Sequence, residues 1–279
     1  MNYFNYNGKM LRENTPVIGV SSRGLRYGDG LFETMKSIKG RILLIDEHFA
    51  RLWKGMNMLQ FNLTGHFTPD SLQAGIQELL KKNGHDDMAR IRVTVLRGDG
   101  GLYDDINHNP NYIIQSRALP AGTGEWNSNG LVLGIYDDAK KNCDAFSNLK
   151  HNNFLPYTMA ALHAKKQKWN DAVVLNSQGS VCDSSIANIF LVKDGLIHTS
   201  SLAEGCIAGI LRRTILQQFA AGNRQVIEGK ISVDDLMNAD EVFLTNSIYN
   251  IRWVQSIGEK KYGNILTQKI YAEVLPTIS

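Results

Sequence analysis

Arg117-Ala118-Leu119-Pro120-Ala121-Gly122-Thr123-Gly124-Glu125-Trp126-Asn127-Ser128-Asn129-Gly130 is the stretch that divides the chain. Pro120, Gly122, Gly124, Gly130 and two asparagines punctuate it, and neither a strand nor a helix period survives, so it reads as a loop. It lies near the middle of 279 residues, where two domains of similar size would meet. The expectation is an N-terminal α/β domain over 1–118, an interdomain loop over 119–129 and a C-terminal domain over 130–279.

Upstream of the loop, Arg41 to Ile45 reads as a short buried strand. Phe49, Leu52, Trp53, Met56 and Leu59 then recur at helical spacing and form one apolar stripe. Thr68, Pro69 and Asp70 announce a second helix, with a cap, a proline at the first turn and an acid at the positive end. Its stripe is Leu72, Ile76, Leu79 and Leu80, and Gly84 stops it. Ile91, Val93 and Val95 alternate with Arg92 and Thr94 as a half-buried strand, and Tyr112 to Gln115 looks like its partner.

Downstream, strands are expected at Leu131–Tyr136, Asp171–Asn176, Asn188–Val192 and Glu241–Thr245. Helices are expected at about Leu155–Lys168 and from Gly209. Lys193-Asp194-Gly195 is a hairpin turn, which argues against a purely parallel sheet. The fold class is therefore α+β, in two domains.

Composition narrows the function. Hydrophobic residues at 43% support a real core, and 30 basic against 27 acidic residues leave +3, too small an excess to indicate nucleic-acid or membrane-surface binding. Cys143, Cys182 and Cys206 are an odd, widely spaced set, against a disulfide scaffold or a structural zinc site. No signal-peptide pattern and no run of 18 apolar residues is present, so a cytoplasmic protein is expected. Gly98, Gly100 and Gly101 follow a strand but lack the third glycine and the helix of a dinucleotide site, and read as a tight loop.

Three polar stretches remain. Ser147-Asn148-Leu149-Lys150-His151-Asn152-Asn153 precedes a helix, Asp183 to Asn188 precedes a strand, and Thr245-Asn246-Ser247 follows one. Taken singly, each has a plain reading: Lys150 solvated in a loop, Asp183 a turn cap, Ser247 a loop cap, and Arg51 a surface ion pair.

Together they resemble a family. Arg23-Gly24-Leu25-Arg26-Tyr27-Gly28-Asp29-Gly30-Leu31-Phe32-Glu33-Thr34, His48-Phe49-Ala50-Arg51-Leu52, Lys150, Gly179–Phe190 and Gly205–Arg212 are similar, in order, to segments of the fold-type IV pyridoxal-phosphate enzymes. These comprise branched-chain and D-amino-acid aminotransferases and aminodeoxychorismate lyase. The resemblance implies a small N-terminal and a larger C-terminal domain, pyridoxal 5′-phosphate as cofactor and a homodimer. It also assigns residues. Lys150 bonds to the cofactor's aldehyde and shuttles the substrate proton, and Asp183 stands beside the ring nitrogen. Ile207 lies on the ring face. Arg51, the backbone amides of Ile210 and Leu211, and Ser247 receive the phosphate. Thr34 and Arg97 fall where the family contacts substrate, Arg97 reading a carboxylate.

Three departures stand out. The family usually carries glutamate where this chain has Asp183, shortening the reach by roughly 1.5 Å. Its usual phosphate-turn threonine is Leu211, and the transaminases' tyrosine five residues after the lysine is Leu155. Lys150-His151 with Asn153, Ala208-Gly209-Ile210-Leu211-Arg212 and Thr245-Asn246-Ser247-Ile248 look closer to aminodeoxychorismate lyase. The implied reaction is elimination of pyruvate from 4-amino-4-deoxychorismate; the alternative is amino transfer from branched-chain or D-amino acids to 2-oxoglutarate.

Overall fold

The structure, a computed structural model, describes residues 2–278 apart from 64, 66, 105 and 223. Contacts divide it into two units, Met1–Thr123 with Lys150–Asn153, and Gly124–Leu149 with Phe154–Ser279. Sequence reading puts Lys150 in the second domain, whereas its contacts place it in the first. The loop also divides. Gly124 and Asn127 belong to the second unit, where Asn250 Nδ2 donates to Gly124 O at 2.9 Å and Trp253 Nε1 to Asn127 O at 2.6 Å.

The first unit contains β1 (Tyr3–Tyr6), β2 (Lys9–Arg12), α1 (Arg23–Tyr27), β3 (Gly30–Ile38), β4 (Arg41–Ile42), α2 (Ile45–Met58), α3 (Pro69–Asn83), β5 (Met88–Arg97) and β6 (Pro110–Ala118). Its six-stranded sheet runs β2-β1-β6-β5-β3-β4. The expected strand over Arg41–Ile45 is shorter, because Leu44 turns left-handed (φ 51°) and Asp46 and Glu47 occupy the first turn of α2, where the helix dipole favours them. Thr68 caps α3 as expected, its partner in the capping box being Ser71. Leu72, Ile76, Leu79 and Leu80 are buried.

Register separates the two faces of this sheet. Phe32, Thr34 and Lys36 lie opposite Thr94, Arg92 and Arg90, which in turn face Ile113, Gln115 and Arg117 on β6. Directly opposed residues share a face. The other face carries Glu33, Met35, Val93, Ile91 and Ile114, all buried.

The second unit contains β7 (Leu131–Lys141), α4 (Leu155–Gln167), β8 (Asp171–Asn176), β9 (Val181–Ser184), β10 (Asn188–Lys193), β11 (Leu196–Ser200), α5 (Ile210–Ala221), β12 (Val226–Gly229), α6 (Val233–Met237), β13 (Glu241–Asn246), β14 (Asn250–Ile257), β15 (Lys260–Lys261) and α7 (Ile265–Ile278). Its nine-stranded sheet runs β12-β11-β10-β13-β14-β7-β8-β9, with β15 on β14. Pairing is parallel at β11/β12, β14/β7 and β7/β8 and antiparallel at β10/β11, β10/β13, β13/β14 and β8/β9. The mixed sheet fits the expected α+β class, and the hairpin turn is present, with Asp194 at φ 49°.

One face of β10 and β13 supplies Ile189, Leu191, Val242 and Leu244 to the main core. The other presents Phe190 and Phe243, stacked at 4.9 Å between centroids. Strands buried on both faces read as continuous apolar runs, which is why these two are visible in the sequence. β9 is not, because its four residues include Asp183 and Ser184. Among the described residues no helix is long and apolar enough to cross a membrane.

Candidate active site

Asp183 sits on β9, only 2% exposed, with its carboxylate enclosed by partners. Oδ1 accepts from Asn188 Nδ2 at 2.7 Å. Oδ2 accepts from the Tyr157 hydroxyl at 2.6 Å and the Ile207 backbone N–H at 2.9 Å. The Lys141 ammonium is 3.7 Å from Oδ2 and donates to Ser147 O at 2.7 Å. Burial raises the Asp183 pKa above the usual carboxylate value, opposed by Lys141 and then by the hydrogen bonds from Tyr157, Ile207 and Asn188. Three of the carboxylate's roughly four lone-pair positions are thereby filled, so its orientation is set by the protein.

Beside this acid, the chain enters α5. Asn188 Nδ2 also donates to Ile207 O at 2.8 Å. Gly209 is the N-cap residue and offers no side chain to the helix end. A Cβ there would lie 1.8 Å from Asn188 Oδ1, so only glycine permits the approach. Ile210 and Leu211 open the helix with buried side chains, while their backbone amides belong to the positive end of a 12-residue helix. Asn188 lies opposite Thr245 across the β10/β13 pair. Thr245 Oγ1 is buried and has no hydrogen-bond partner among the described residues. Ser247 is half-buried in the turn after β13, a turn shaped by Asn246 Oδ1 accepting from Ile248 N at 3.0 Å and Tyr249 N at 2.8 Å. A helix start without a side-chain cap, a glycine cradle and an unbonded hydroxyl suit the phosphate of pyridoxal phosphate, and a carboxylate nearby suits its ring nitrogen.

In the first unit, Lys150 lies on a short segment laid antiparallel to β3. Phe32 N donates to Lys150 O at 2.9 Å, and Asn152 N to Gly30 O at 3.0 Å. Gly30 allows this: a Cβ would meet Val95 O at 2.2 Å and Asn152 Nδ2 at 2.6 Å. The glycines of the opening motif thus make room for the lysine segment. Lys150 Nζ stands 4.5 Å from the Phe32 ring centroid, and the Arg92 guanidinium 3.8 Å from it. Burial lowers the Lys36 pKa to about 8. Burial, then Arg90, lowers that of Arg92 to about 10. Lys36, Arg90, Arg92 and Arg117 share this face with Phe32, Thr34, Thr94, Ile113 and Gln115, and none of these positions is acidic. Such a face favours anions.

Arg51 faces the opposite side of that sheet. Its Nε and Nη2 donate to Glu33 at 2.7 and 2.6 Å, and His48 Nδ1 is 2.7 Å from Glu33 Oε2. Burial would raise the Glu33 pKa, yet Arg51 and His48 hold it down at about 2. Burial lowers that of His48, against the pull of Glu33. Arg97 is buried at the end of β5, where Nε is 2.9 Å from Asp29 Oδ2 and the guanidinium donates to Leu59 O and Gln60 O. Thr34 is half-buried on the cationic face.

The second unit therefore gathers Asp183, Ile207, Ile210 and Leu211. Thr34 and Lys150 lie in the first unit, Arg51 being committed to Glu33 and Arg97 to Asp29. Sequence reading missed Glu33 and His48 as partners of Arg51, and Lys141 and Tyr157 as partners of Asp183. Lys141 carried one signal, a lysine pair at the end of an apolar strand. Tyr157, two positions after Leu155 in the first turn of α4, carries no signal in residue order that marks it as a partner of Asp183.

A family model described as amino-transferase class IV matches residues 30–257. An aminodeoxychorismate lyase from Vibrio harveyi is 29% identical over 242 residues, 86% of this chain and 87% of that protein. A protein from Methanocaldococcus jannaschii, described as a putative branched-chain-amino-acid aminotransferase, is 27% identical over 271 residues, 96% of this chain and 91% of its own. The structure of a hypothetical aminotransferase from Mycobacterium tuberculosis, in a PLP-bound form, superposes with a TM-score of 0.82 at 16% identity, covering 99% of this chain and 98% of that one.

Proposed function

The chain belongs to the class IV aminotransferase family, and from that premise we propose that it is a pyridoxal-phosphate-dependent lyase, eliminating pyruvate from 4-amino-4-deoxychorismate to leave 4-aminobenzoate, a folate precursor. The cofactor supplies a protonated ring that accepts the electron pair left when the substrate loses a proton. Lys150 would hold the cofactor until the substrate's amine displaces it, and its freed amine would then take the proton from the amine-bearing carbon and return one to the departing enolpyruvate. Asp183, held by Asn188, Tyr157 and the Ile207 amide, keeps a negative charge at the ring nitrogen. Ile207 covers the ring, and the Ile210 and Leu211 amides and Ser247 receive the phosphate, while Arg51, expected there from the resemblance, is held by Glu33. Thr34, Lys36 and Arg92 meet the substrate's two carboxylates, while Arg97, anchored on Asp29, braces the end of the same strand.

The observation that carries the lyase reading is Leu155. The Tyr157 hydroxyl is bonded to Asp183, and Leu155, 69% exposed, stands where transaminases of the family place a tyrosine with its own hydroxyl. A site lacking that hydroxyl is less suited to amino transfer, which must hold the amine form of the cofactor for a second substrate. Elimination needs only an aligned leaving group, and aromatisation draws it forward. The second reading, an aminotransferase acting on branched-chain or D-amino acids with 2-oxoglutarate, is supported by the relative from Methanocaldococcus jannaschii and by the cationic face, which suits a keto diacid equally.

Separate incubations test the choice. With aminodeoxychorismate, pyruvate and 4-aminobenzoate are expected, and Lys150→Ala abolishes both along with the visible absorbance of the bound cofactor. Rapid glutamate formation from L- or D-amino acids and 2-oxoglutarate, with no 4-aminobenzoate, selects the aminotransferase. The same reading takes the enzyme as a cytoplasmic homodimer. Light scattering at micromolar concentration should then give twice the 31.2 kDa of one chain, and a monomer would refute it.

A further inference from the structure

Thr245 is the last buried side chain of β13, 2% exposed, and its hydroxyl has no hydrogen-bond partner among the described residues. A hydroxyl removed from water without a bond is unfavourable, and such groups call for an account. Register says where this one faces. Val242 and Leu244 enter the main core, so Thr245 shares the other face of β13 with Phe243. Its cross-strand partner on that face is Asn188. The Asn188 side chain in turn reaches Ile207 O and abuts Gly209, the residue at which α5 begins. The unbonded hydroxyl thus lies on the face that carries a helix start without a side-chain cap. Cross-strand neighbours are roughly 4.5–5.5 Å apart at Cβ, within reach of a ligand spanning both.

Resting on the cofactor reading above, we propose that Thr245 is a phosphate-binding residue, its hydroxyl donating to an oxygen of the phosphate held at the N-terminus of α5. The chemistry is complementary. The helix end offers backbone N–H donors and a positive dipole, and a neutral hydroxyl adds a donor without adding charge beside Asp183. The native chain tolerates the unbonded group because the ligand supplies its partner.

The test uses apo protein and four measurements: the dissociation constants of pyridoxal phosphate and of pyridoxal, which lacks the phosphate, inhibition of cofactor uptake by inorganic phosphate, and the melting temperature without ligand. Thr245→Val keeps the shape and removes the donor. It should weaken pyridoxal phosphate about tenfold, the loss of one hydrogen bond to a charged group. Pyridoxal affinity should not change, inorganic phosphate should compete less well, and the apo melting temperature should hold or rise. Thr245→Ser, which restores the hydroxyl, should return phosphate affinity to within a few-fold. A purely structural hydroxyl would show the reverse pattern, a lower apo melting temperature with unchanged cofactor affinity, and would overturn the assignment. Equal losses for pyridoxal phosphate and pyridoxal would overturn it too. A wild-type protein that binds neither compound would instead refute the cofactor reading on which it rests.

Discussion

Glu33 and Asp183 are both buried carboxylates, 1% and 2% exposed, yet their environments drive them in opposite directions. Glu33, in the first unit, is held at about 2 by Arg51 and His48 against the cost of burial. Asp183, in the second, is raised by a burial that Lys141 and three hydrogen bonds only partly offset. The difference lies in how charge is delivered. Arg51 meets Glu33 through two nitrogens at 2.6–2.7 Å, a bidentate, charge-assisted pair. Lys141 stands 3.7 Å from Asp183, and the donors bonded to that carboxylate are neutral. An acid fixed as a permanent anion can brace a fold. One that is oriented but incompletely neutralised can still answer to an added positive charge, as a protonated ring nitrogen would be.

The sharpest way to break this contrast is Glu33→Gln. It leaves the Arg51 charge without its carboxylate in a buried setting and should cost about 3–5 kcal/mol at pH 7. Urea unfolding would read it. Because the folded pKa lies below the usual 4.5, the stabilisation is complete above 4.5 and lost as pH falls towards 2. The gap between wild type and variant should therefore close across that window, and a gap independent of pH would contradict the ion-pair account.

Lys141→Met sharpens the other half, with a smaller expected loss of about 1–3 kcal/mol. Here the folded pKa is raised, so charging Asp183 weakens the fold as pH climbs above 3.8, and removing the nearby cation deepens that loss. The destabilisation should be slight near pH 4 and grow towards pH 8, in a window above that of Glu33. Melting temperatures of the apo protein at intervals of one pH unit would show it. Equal destabilisation at both ends would mean that Lys141 serves only its bond to Ser147 O.

Strand and helix periods made the main elements visible from residue order. The stripes of α2 and α3, the alternation of β5 and the apolar runs of β8, β10 and β13 needed nothing beyond neighbours in the chain. So did the loop around Pro120, since proline and glycine act on local backbone geometry. The ordered motifs around Arg51, Lys150, Asp183 and Ser247 are legible for the same reason, each being a run of neighbours in the chain. What partnered them was not legible. Glu33 meets Arg51 across 18 residues and Asp183 meets Tyr157 across 26, distances at which no sequence period operates. Lys150 joined the first unit through backbone bonds to β3, a pairing set by close approach at Gly30 and not by side-chain pattern. Sequence determined which groups are present and the local form of their backbone. Tertiary packing decided which of them lost water, which found a counter-charge, and hence which carboxylate is fixed as an anion and which is left to respond, because burial and pairing depend on distances that only the folded chain defines.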